Sequence, residues 1–92
     1  MIITSSTQIE EAPFYVLCND RFMSGWGYAK GKINTVILPC KSLEEANRVA
    51  AYAEGRGDQT YVRICGNKPR LNNTTHCYSY HTREDYGRWY GK

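Results

Sequence analysis

Ninety-two residues fit one domain with a thin core, and a deep, well-walled pocket is not the expected product of so short a chain. Twelve basic against nine acidic side chains give a net charge of +3, milder than the dense basic stripe of a typical nucleic-acid binder. The longest apolar runs span only a few residues, so no membrane span is expected.

In chain order, residues 1–12 read as a loose arm. Their polar, acidic sequence has neither the basic nor the apolar region of a secretory signal. After Pro13, the run Phe14-Tyr15-Val16-Leu17-Cys18 is rich in aromatic and β-branched residues and is ended by Asn19-Asp20, which predicts a strand. Arg21 to Gly31 is punctuated by Gly25, Gly27 and Gly31 and reads as a loop or irregular hairpin arm. A second strand is expected over Ile33 to Leu38, closed by Pro39, which has no N–H for a ladder.

The clearest element is a helix from Leu43 to Glu54. Ser42 and Glu45 form a Ser-x-x-Glu capping box, Glu44 and Glu45 suit the positive end of the dipole, and Gly55 offers a left-handed stop. Leu43, Ala46, Val49, Ala50 and Ala53 recur at helical spacing, and the alanines let the helix lie close on a sheet. Thr60 to Cys65 predicts a third strand, with Tyr61 and Arg63 on one face and Val62 and Ile64 on the other. A turn holding Pro69 follows, and His76 to Thr82 predicts a fourth strand. Thr82 and Asp85 are placed to open a short helical turn that sets Tyr86, Trp89 and Tyr90 on one side. The expected fold is α+β: a three- to four-stranded antiparallel sheet with one helix packed on a face, in the order strand-strand-helix-strand-strand, over a single domain 1–92.

Motifs for catalysis are weak. His76, Cys77 and His81 lie near one another, but His76 and Cys77 should point to opposite faces of a strand, and the spacing matches no common zinc pattern. No thiol is marked as an activated nucleophile, and the adjacent pairs Glu10-Glu11, Glu44-Glu45 and Glu84-Asp85 diverge rather than converge on a cleft. The glycine-rich stretch from Met23 to Lys32 matches neither a P-loop nor a dinucleotide fingerprint. No catalytic residue, metal or cofactor is expected. The four cysteines, Cys18, Cys40, Cys65 and Cys77, contain no C-x-x-C and fit free thiols in a reducing cytosol.

Binding is the better-supported role. Charge is divided unevenly: residues 1–55 carry five basic and six acidic groups, residues 56–92 seven and three. Twelve aromatics, eight of them tyrosine, favour surfaces and interfaces. Two segments combine rings with cations. Trp26, Tyr28, Lys30 and Lys32 are candidate partner-binding residues in the glycine-rich stretch. Arg83, Arg88, Trp89 and Tyr90 are candidates in the aromatic and basic segment 83–92, where the rings must either dock on the sheet or meet a partner.

The string Phe22-Met23-Ser24-Gly25-Trp26-Gly27-Tyr28-Ala29-Lys30-Gly31-Lys32-Ile33-Asn34, followed by Cys40, Ser42-Leu43-Glu44-Glu45-Ala46 and Arg56-Gly57-Asp58, resembles small bacteriophage-encoded proteins of unassigned function over residues 14–65. The resemblance implies a phage context and transfers no catalytic residue. Compact α+β phage proteins of this size include anti-CRISPR and other anti-defence inhibitors. The leading expectation is an inhibitor that binds a host defence complex, such as a CRISPR effector, in the host cytoplasm. The alternative is a small single-stranded nucleic-acid-binding protein of phage replication or expression. A third is a sponge for a nucleotide signal, which requires a pocket.

Overall fold

The computed structural model describes residues 2–20 and 32–91. Five strands form one sheet: β1 (Ile2–Ile3), β2 (Phe14–Asp20), β3 (Ile33–Cys40), β4 (Gln59–Cys65) and β5 (His76–Tyr80). One long helix, α1 (Leu43–Arg56), sits between β3 and β4, and 3-10 turns occupy Ser6–Gln8 and Gly87–Tyr90. The strand order is β1-β5-β3-β2-β4. The α+β class is as expected; the pairing is not. The sheet is mixed rather than antiparallel, because β3 and β5 run parallel in the register Ile33↔His76 to Ile37↔Tyr80.

The parallel pair follows from where β4 lands. β4 pairs with β2 at the far edge, so the chain must return across the sheet before β5 can lie beside β3. Residues 66–75 make that return on the face opposite α1, and Leu71 packs there. Pro39 does not end β3 as expected. The β5 pairing stops at Ile37↔Tyr80, so the missing N–H of Pro39 lies beyond that ladder.

The alternation of β2 and β3 divides the core in two. Val16, Cys18, Val36, Leu38 and Cys40 face α1, meeting Ala46, Val49, Ala50 and Ala53. Tyr15, Leu17 and Ile37 face the other way with Tyr78 and Tyr80 of β5. That second face is roofed by the segment expected to be loose. Ile3 and Ile9 are only 1% and 2% exposed, and β1 pairs with β5 through Ile2↔Ser79 and Ile3↔Tyr78. Tyrosine hydroxyls fasten the roof: Tyr15 Oη donates to Glu10 O at 2.7 Å and accepts from Ala12 N at 3.0 Å, while Tyr80 Oη accepts from Glu10 N at 3.3 Å. The arm was misread because two isoleucines among polar residues give no periodicity.

The helix starts as expected, with Ser42 Oγ accepting from Glu45 N at 3.1 Å. The Glu45 carboxylate reaches past Ser42 to the Lys41 N–H at 2.8 Å, so the box closes one residue early. The helix runs two residues beyond Glu54. Gly57, at φ +82°, is the left-handed cap, not Gly55, and the stop is fixed by Arg56, whose Nε and Nη2 bind both oxygens of Asp58 at 3.0 and 2.9 Å.

The N-terminal roof and the C-terminal turn should each behave as core. Ile3→Ala is expected to lower unfolding free energy by about 2–5 kcal/mol and Trp89→Ala by about 3–5 kcal/mol in urea melts. A loss below about 0.5 kcal/mol for Ile3→Ala would show that the N-terminal segment only rests on the sheet.

Candidate functional site

The residues expected to meet a partner separate into three groups. Trp26, Tyr28 and Lys30 lie outside the described residues. Lys32, just before β3, is half-buried in a small recess with Ile3, Thr4 and His76. The C-terminal candidates are placed largely in the interior. Trp89 and Tyr90 are buried against α1, with Tyr90 Oη donating to Pro39 O at 2.7 Å. Trp89 packs between Tyr52 and Tyr86, with the Arg56 guanidinium 5.3 Å from its ring centre.

Arg83 is likewise structural. Its Nη2 lies 2.7 Å from Glu45 Oε1, and its guanidinium sits 5.0 Å from the Tyr90 ring centre. Burial works against the Glu45 carboxylate, yet the Lys41 N–H and Arg83 together hold it below its ordinary range. Arg83 therefore ties the C-terminal turn to the first turn of α1. Of the four C-terminal candidates, only Arg88 is exposed. The correction has a plain cause: a thin sheet needs covering, and the nearest large rings are used to cover it.

Among the described residues, no three His, Cys, Asp or Glu side chains gather as a metal site requires. Burial pushes the Cys18 and Cys40 thiols up to about 12, the opposite of nucleophilic activation. His81 stacks on Tyr86, with ring centres 4.1 Å apart and planes 10° from parallel. Its Nδ1 is 3.5 Å from Asp85 Oδ2, a Coulombic contact without a hydrogen bond. Burial holds the imidazole below its usual value, against the pull of Asp85.

The surface that composition did not reveal is the β4 edge. Among the described residues, β4 ends the sheet, with β2 as its only strand neighbour. Between the pairs Leu17↔Arg63 and Asn19↔Thr60, β4 advances three residues while β2 advances two, which is a bulge. Tyr61 occupies it at φ +50°, among the described residues the sole non-glycine residue with positive φ. Its side chain is 71% exposed, the most open large hydrophobic group described. Arg63 braces it twice: Nη1 donates to Tyr61 O at 2.9 Å, and the guanidinium lies 4.3 Å from the ring centre. A sequence signal existed, since Tyr61 and Arg63 are two apart in a strand, but nothing in the string announces a bulge.

Two measurements test these environments. Cys65 is half-buried and the other three thiols are buried, so a thiol reagent should modify one cysteine per native chain rapidly and the rest only on unfolding. Rapid modification of Cys18 or Cys40 would contradict the packing described. His81 binds its proton less readily folded than unfolded, so the unfolded chain takes up more protons as pH falls through about 6.5. Stability should therefore decline from pH 7 towards pH 5, and His81→Gln should flatten part of that decline; an identical pH profile in the variant would exclude His81 as a source.

Compared with protein-family models, curated proteins and solved structures, the chain matches none of them, and its chemistry rests on its own geometry.

Proposed function

We propose that this chain acts by binding a macromolecular partner rather than by catalysis, as an inhibitor that occupies a surface of a host defence complex. The phage setting and a CRISPR effector as target come from the resemblance carried by residues 14–65, as does the host cytoplasm as the place of action. Among the described residues, no helix is long and apolar enough to cross a membrane.

One observation carries the binding role: an exposed tyrosine held in a left-handed conformation on an open sheet edge. A non-glycine residue in that region costs on the order of 1–3 kcal/mol and persists only where its surroundings enforce it. Here the bulge and the Arg63 brace enforce it, and the result is a projecting ring backed by a cation. Tyr and Arg are the residue types that dominate protein-interface hot spots. A bulge also discourages strand-to-strand aggregation, but a lysine at its tip would do that better than a tyrosine. Apart from the Arg63 contact, the ring is given to solvent. It lies outside both core clusters.

Tyr61→Gly suits the backbone and deletes the ring. Its stability is expected to remain within about 1 kcal/mol of the parent, since relief of the positive φ offsets the added freedom of the unfolded chain. Tagged parent protein from phage-infected host lysate should retain a stoichiometric protein complex that survives nuclease, and the variant should lose it. Equal retention by both proteins would reject the β4 surface. Recovery of nucleic acid alone, abolished by nuclease, would reject the inhibitor role in favour of a strand binder.

A further inference from the structure

Beside the part of the sheet that α1 covers, the same face carries polar groups from three strands. Asp20 of β2, Asn34 of β3 and Ser79 of β5 come from three adjacent strands, and with Val36, His81 and Tyr86 they line a cleft of about 350 Å³. That volume is at the lower end of the roughly 300–1,000 Å³ typical of small-molecule sites. The cleft is distinct from the β4 edge, on which this inference does not rest.

Asn34 is the informative residue. It lies in a central strand within Ile33-Asn34-Thr35-Val36-Ile37-Leu38, where asparagine is disfavoured and an apolar side chain would extend the core. It is only 4% exposed. Its sole described side-chain bond is a long one, Ser79 Oγ to Asn34 Oδ1 at 3.5 Å. That contact leaves the amide with both donor and acceptor capacity towards the cleft. A residue that breaks a local rule without structural benefit is the kind found at binding sites.

Beside this amide stands an aromatic column. Trp89 packs on Tyr86 at 4.9 Å and Tyr86 stacks on His81 at 4.1 Å, so the column ends in a ring that lines the cleft. Burial keeps the His81 imidazole neutral at ordinary pH. A flat wall and a paired amide donor and acceptor together match a planar heterocycle with N–H groups beside ring acceptors. We infer that the cleft binds a purine base, presented as a nucleoside, with the base extending the His81–Tyr86–Trp89 column and its edge read by Asn34.

Amide-resolved NMR titration of the full chain with adenosine, guanosine, cytidine and inorganic phosphate tests this. A purine nucleoside should shift the signals of Asn34, Ser79 and His81. Asn34→Val should weaken that binding by about tenfold or more, the usual scale of a lost bidentate base contact, while thermal stability stays equal or rises. Should Asn34→Val fail to fold, Ser79→Ala is expected to weaken binding with the fold intact. Cytidine binding as tightly as the purines, phosphate alone reproducing the shifts, shifts centred on Tyr61 and Arg63, or no shift at millimolar nucleoside would each overturn the assignment.

Discussion

Everything in this molecule depends on β2 and β3 being apolar on both faces. A strand whose alternate residues all avoid water needs a cover on each side, and the described residues offer one long helix. The helix covers Val16, Val36 and Leu38. The opposite face, with Tyr15, Leu17 and Ile37, is closed by improvised material: a two-residue strand, a 3-10 turn and the return loop through Leu71. Hydroxyls of buried tyrosines take the role that a second helix would otherwise fill, by bonding the backbone of the roof directly. Tyr80 shows what this role costs in acidity, since burial pushes its phenol up to about 12.

The same shortage of material decides which surfaces stay available. The C-terminal rings are drawn inward to finish the helix side, and several cations of the basic half are matched internally: Arg56 with Asp58, Lys68 with Glu11, Arg83 with Glu45. The apparent charge excess is thereby partly spent on architecture. Two of the features left outward among the described residues are local and specific, a braced tyrosine on one edge and a polar cleft at one end of the sheet. Each breaks a rule that the rest of the chain obeys, the first in backbone conformation and the second in strand composition.

Local features were legible in the sequence wherever chemistry acts between near neighbours. Ser42 and the alanine stripe mark α1, the apolar run Phe14–Cys18 marks a strand, and the alternation in Thr60–Cys65 marks another together with its faces. That Tyr86, Trp89 and Tyr90 share a side was also readable from their spacing, though not that the side faces inward. Pairing order was not, because nothing in His76–Tyr80 states that its neighbour is β3 or that the two run parallel. The helix end was missed because Gly55 and Gly57 are equivalent as letters, and only the Arg56–Asp58 fork distinguishes them. Tyr61 and Asn34 were passed over for a related reason: their significance is a conflict with their surroundings, and the surroundings are tertiary.

The pairing of Ile2 with Ser79 and Ile3 with Tyr78 sets the first strand beside the last. A sheet joined in this way cannot be finished piecemeal. The β2–β3 hairpin and α1 can gather early from local contacts, but the face bearing Tyr15 stays open until β5 arrives and β1 can seat against it. Until then Tyr15, Leu17 and Ile37 are exposed, so the interval between synthesis of β3 and docking of the two ends favours aggregation or capture by chaperones.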